Sequence, residues 1–150
     1  MISYSQVVNN LKTSALNLTT VNMVGFGTID KLDADAQNAT YPYVFFRPLS
    51  SPGIRFGTQM TGPRVLTFEM YVMSLPYQTD TDYLDVMSNC EQIGYNVVTD
   101  FFDGNYEYLH NIQVNTLTPL NEAFQDRVVG WVFTMDVVTD SSGITSCNRV

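Results

Sequence analysis

The chain has 150 residues, 45% apolar and 13% aromatic, which suits one domain with a real core and excludes a disordered segment. Only 15% are charged, and 15 acids against 7 bases leave a net charge of −8, which excludes a basic clamp on nucleic acid. Cys90 and Cys147 are too few and too unlike in context for a disulfide framework, and they predict free thiols in a reducing compartment. Residues 1–25 lack the cationic start and unbroken apolar run of a secretory signal. No stretch approaches the roughly 20 apolar residues of a membrane span, so no membrane partner is expected.

In chain order, residues 3–18 predict a helix. Ser3 or Ser5 caps it, and Tyr4, Val7, Val8, Leu11, Ala15 and Leu18 recur at spacings of three and four. Thr19–Val24 is β-branched and reads as a short strand broken by Gly25-Phe26-Gly27. Asp30–Thr40 is polar and reads as a loop. Asp33 and Asp35 begin a calcium-loop pattern that fails at Asn38 and Val44, where the sharp-turn glycine and the bidentate glutamate belong. Tyr41–Arg47 predicts a strand, with Pro42 at its start, where a missing N–H is tolerated. Pro48–Pro63 holds three prolines and three glycines and predicts an extended loop. Loops of this length inside a domain are commonly functional. It carries Ile54, Phe56 and Met60, and Arg47, Arg55 and Arg64 bracket or sit within it. Either a flexible hairpin or an arm packing on a neighbouring subunit fits this composition.

Residues 64–75 predict the next strand, with Leu66, Phe68, Met70 and Val72 on one face and Thr67, Glu69 and Tyr71 on the other. Residues 81–102 predict a long helix. Asp80 or Thr81 caps it, and its stripe is Tyr83, Val86, Met87, Cys90, Ile93, Gly94, Val97 and Phe101. Residues 112–118 and 127–139 predict a C-terminal hairpin joined by a turn at Pro119–Asp126, and 141–150 a polar tail. In the last strand Val129, Trp131, Phe133, Met135 and Val137 form a row of large side chains that needs a cover, and the long helix supplies it. The expected core is therefore Phe68, Met87, Ile93, Val97, Val129, Trp131, Phe133 and Met135. The fold class is α+β: a single antiparallel sheet packed by an N-terminal helix and a long central helix, all in one domain.

Motifs that would carry chemistry are missing. His110 is the sole histidine and reads as a surface or edge residue. No nucleotide loop, nucleophile elbow or zinc spacing occurs. Carboxylates such as Glu122 and Asp126 read as solvated turn residues. The expectation is a protein without enzymatic activity, metal or cofactor.

The block L-T-P-L-N-E-A-F-Q-D-R-V-V-G-W-V-F-T-M-D-V-V at Leu117–Val138 resembles the C-terminal hairpin of bacteriophage tail-terminator and head–tail connector (neck ring) proteins. Y-P-Y-V-F-F-R-P at Tyr41–Pro48 resembles the Y-P strand of that family, and the order of elements over residues 3–139 is similar. The resemblance implies a structural virion protein, made in the host cytoplasm. Its subunits would form a six-fold or twelve-fold ring between portal or adaptor and tail proteins, with DNA only passing through the lumen. It implies that Arg47, Ile54, Arg55, Phe56, Met60 and Arg64 lie on a loop contacting a neighbour or lining the channel. The polar tail at Ser141–Val150 is not part of the pattern. The alternative is a small soluble α+β module binding a ligand or protein through Tyr41, Tyr43, Phe45, Phe46 and Tyr71.

Overall fold

Ser3 starts the first helix, α1 (Tyr4–Leu16), through a capping box. The Gln6 amide N–H donates to Ser3 Oγ at 3.2 Å, and the Ser3 N–H donates to Gln6 Oε1 at 3.0 Å. Val7, Val8, Leu11, Ser14 and Ala15 form its buried stripe. In the computed structural model, residues 3–36, 39–49, 64–75, 80–123 and 128–139 are described. Their further elements are β1 (Met23–Phe26), α2 (Ile29–Ala36), β2 (Tyr43–Pro48), β3 (Arg64–Ser74), α3 (Asp80–Asp103), β4 (Leu109–Ala123) and β5 (Val128–Thr139).

The strands make one five-stranded sheet in the order β1-β2-β3-β5-β4. Three of its pairings are antiparallel, and β1 runs parallel to β2. The sheet is thus mixed, and the α+β class with two helices packed on it stands as expected. A parallel pair needs a crossover connection, and α2 is that crossover. It takes up residues 30–36 of the stretch Asp30–Thr40, expected to be a loop. Its composition is polar, but Leu32 is fully buried beneath the sheet and fastens the helix there. The first strand also sits later than expected and runs through Gly25.

On the upper face, α1 and α3 cover a core in which Val44, Phe46, Phe68, Met70, Val72, Phe133 and Met135 are fully buried. From α3, Cys90, Ile93, Val97 and Phe101 reach into it. On the lower face lies a second cluster, Leu32, Tyr43, Phe45, Tyr71, Met73, Val128 and Val132. Val129 is buried outside both clusters, opposite Ser74 at the end of the ladder. Met87 departs from its expected core place: it is half-buried and offers its main-chain carbonyl, to which Trp131 Nε1 donates at 2.9 Å.

The strand expected at 112–118 is β4, longer at both ends. Pro119 lies within it opposite Trp131, where a turn was expected. β4 is the last strand of the sheet, and an edge strand tolerates the missing N–H of proline. Pro48, expected to open the extended loop, instead ends β2, and the Leu49 N–H donates to the Thr67 carbonyl at 2.9 Å; the rest of that expected loop lies outside the described residues.

Candidate functional site

Two helices do not cover a five-stranded sheet. α3 lies over β3 and β5 and meets β4 only at its margin, while α1 packs on β1 and α3. The upper row of β4, Ile112, Val114 and Leu117, is therefore only half-buried, as is Trp131 beside it. The outward side of α3 carries Leu84, Tyr95 and Phe102, which are 68%, 43% and 50% exposed, and Phe102 lines a hollow with Leu109 and His110 of β4. Their spacings of eleven and seven residues are close to three and two helical turns, so the three share one line. The outer edge of β4 has no strand partner among the described residues. Phe102 thus brings one end of this apolar line beside the start of a fifteen-residue strand edge. The apolar spacing of α3 revealed its buried stripe in the sequence. The outward line of Leu84, Tyr95 and Phe102 obeys the same period, but an apolar line on the solvent side is not distinguished by spacing alone.

The lower face differs. Toward the ends of β2 and β3 that lead to residues 50–63, it is polar. Arg47 Nη1 donates to Glu69 Oε1 at 3.0 Å, and the Tyr71 hydroxyl donates to Glu69 Oε2 at 3.2 Å. Burial raises the pKa of the Tyr71 phenol. Thr67 Oγ1 and Asn115 Nδ2 donate to the two oxygens of Asp136 at 2.7 and 2.9 Å. These bonds tie four strands together and use the carboxylates as acceptors.

Of the arginines expected around the long loop, Arg47 and Arg64 lie on opposite faces of the sheet. Register places Arg47 on the lower face, with Glu69, and Arg64 on the upper face, in line with Leu66 and Phe68. There the charge of Arg64 partly opposes the burial that raises the Tyr4 pKa. Ile54, Arg55, Phe56 and Met60 lie outside the described residues, as do Cys147 and the tail. Their points of departure are adjacent: Arg64, which begins β3, is the ladder partner of Thr139, which ends β5, and Thr139 Oγ1 donates to the Arg64 carbonyl at 3.1 Å.

Of the aromatics through which a small binding module would act, Tyr41 is half-buried. Tyr43, Phe45 and Phe46 are fully buried and Tyr71 nearly so, split between the two faces of the sheet. His110 is exposed at a register shift in β4 and lines a hollow of about 220 Å³ with Phe102, Asn105, Tyr106 and Leu109. No carboxylate pairs with it among the described residues. Asp33 and Asp35 are on α2, where Asp35 accepts a 3.3 Å bond from the Tyr43 hydroxyl. Among the described residues no group of three potential ligands could hold a metal ion, and no helix is long and apolar enough to cross a membrane. Cys90 is a free thiol in the upper core, and burial pushes its pKa up to about 12. No family model matches the chain, and no curated protein matches it either.

Proposed function

We propose that this chain is a structural virion protein, a subunit of the ring at the head–tail junction of a bacteriophage, acting as tail terminator, stopper or connector. The observation that carries the reading is the open β4 edge together with the exposed apolar residues Leu84, Tyr95 and Phe102 of α3 and the half-buried Leu117 of β4. An unpaired edge of this length is a template for strand addition, and exposed apolar surface beside it favours association. The resemblance of Leu117–Val138 and Tyr41–Pro48 to neck-ring proteins supports the same reading. So does the order of elements, in which α1, the Y-P strand β2, β3, α3 and the β4–β5 pair follow one another, with β1 and α2 added after α1.

In this account the subunit recognises neighbouring copies, with portal or adaptor and tail proteins above and below. Arg64 and Thr139, the described residues that adjoin stretches 50–63 and 140–150, are ladder partners on adjacent strands. The net charge of −8 keeps DNA moving through a lumen instead of binding it. Mass spectrometry of purified phage particles tests the assignment. The chain is expected in intact virions at a copy number matching a single ring, and its absence from particles that contain the other neck proteins would overturn the reading.

A further inference from the structure

On the flank of α3 opposite the apolar line of Leu84, Tyr95 and Phe102 is a groove of about 510 Å³, within the range of ligand clefts. Its polar lining comes from Thr19, Thr20 and Asn22 after α1, and from Asn89, Gln92 and Asn96 on α3. Pro42 and Ile93 supply the apolar part of the wall. No charged side chain lines it. Phosphates and other anions lack a cation there, metal ions lack a carboxylate, and sugar rings lack an aromatic platform.

The amides that line it are partly committed, and their commitments leave an alternating set of free groups. Asn22 Nδ2 donates to the Tyr41 carbonyl at 2.7 Å, which frees Asn22 Oδ1 to accept. Gln92 Nε2 donates to Asn96 Oδ1 at 3.0 Å, which leaves Gln92 Oε1 to accept and the Asn96 amide hydrogens to donate. Asn89, exposed at the next position along the row, offers both. At 1.5 Å rise per residue, Asn89, Gln92 and Asn96 mark out a row ~10.5 Å long. An extended chain rises ~3.3 Å per residue and alternates N–H and C=O groups, so about three of its residues match the row.

We infer that this groove binds an extended, uncharged segment of a partner polypeptide through its main chain. The inference does not depend on ring assembly, because the groove and the apolar line lie on opposite flanks of α3. A capped hexapeptide of serine, threonine and asparagine, titrated into ¹⁵N-labelled protein, tests it. The side-chain NH₂ resonances of Asn89 and Asn96 should shift and saturate. Scrambling the residue order should change affinity less than about threefold, whereas N-methylation at alternate residues should weaken it about tenfold or more. Asn89→Ala with Asn96→Ala should weaken binding to a similar degree. The peptide experiment needs no variant to fold. No saturable shift, equal binding of the N-methylated peptide, or saturation by chitotriose in place of the peptide would each overturn the inference.

Discussion

The indole Nε1 of Trp131 donates a 2.9 Å hydrogen bond to the main-chain carbonyl of Met87. β5 and α3 are thereby joined by a polar contact at the margin of the core, where the side chain of Trp131 is only half-buried. Trp131→Phe keeps most of the ring area and removes the donor. It is expected to lower stability by about 1–2 kcal/mol in urea melts, the range of one net hydrogen bond plus lost contact area. Met87→Ala leaves the carbonyl in place and should cost less than Trp131→Phe.

Gly94 lets α3 sit directly on Phe133. A Cβ at this position would run into the Phe133 ring, which is fully buried and has no room to swing away. Gly94→Ala improves helix propensity by about 1 kcal/mol, yet it should destabilise by about 1–3 kcal/mol net, because overpacking outweighs propensity. Phe133→Leu in the Gly94→Ala background should recover part of that loss. A double-mutant cycle by chemical denaturation reads the coupling.

Gly130 has a harder constraint. Its φ is +158°, and an added Cβ would collide with the Val72 carbonyl oxygen and crowd Met73 Cα, both main chain of the neighbouring strand β3. Backbone in the middle of a sheet cannot step aside as a side chain does. Gly130→Ala is expected to cost about 3 kcal/mol or more, or to abolish soluble expression. The Gly130-Trp131 pair is part of the neck-ring resemblance, and this crowding supplies a physical reason for the glycine.

Burial raises the Cys90 pKa from an ordinary value of 9.0 to about 12. The folded state therefore holds the thiol proton more tightly than the unfolded chain does. The stabilisation is complete below pH ~9 and is lost as pH rises toward 12. Unfolding free energy should fall by about 1 kcal/mol between pH 8 and pH 10 through this group alone. The raised pKa values of Tyr4, Tyr71 and Tyr108 add to the decline above pH ~10. Urea melts of wild type and Cys90→Ala at the two pH values measure the difference, and the variant should show the shallower loss.

Periodicity made the upper half of the fold legible. The Leu66-Phe68-Met70-Val72 and Phe133-Met135-Val137 rows, α1 and the buried stripe of α3 were all readable from one apolar face per element. The lower half was harder to read. β2 is buried on both faces, so Tyr43, Phe45 and Phe46 showed no alternation from which a second core could be inferred. α2 was hidden because one fully buried leucine, Leu32, holds down a helix that is otherwise acidic. With α2 unseen, the parallel pairing of β1 and β2 could not be anticipated. Pro119 read as a turn because proline breaks central strands, and an edge position removes that penalty. The line of Leu84, Tyr95 and Phe102 was present in the sequence. Its meaning depended on knowing that α3 covers β3 and β5 and meets β4 only at its margin.

Assembly is the central claim, and solution mass tests it most directly. Native mass spectrometry or light scattering of the purified chain, alone and mixed with portal and tail proteins, should reveal a closed ring of identical subunits. Leu84→Asp with Phe102→Asp places charge on the exposed apolar line of α3, so it should leave the monomer folded and abolish or strongly weaken the ring. A wild-type chain that remains monomeric at high concentration and forms no ring with either partner would contradict the account.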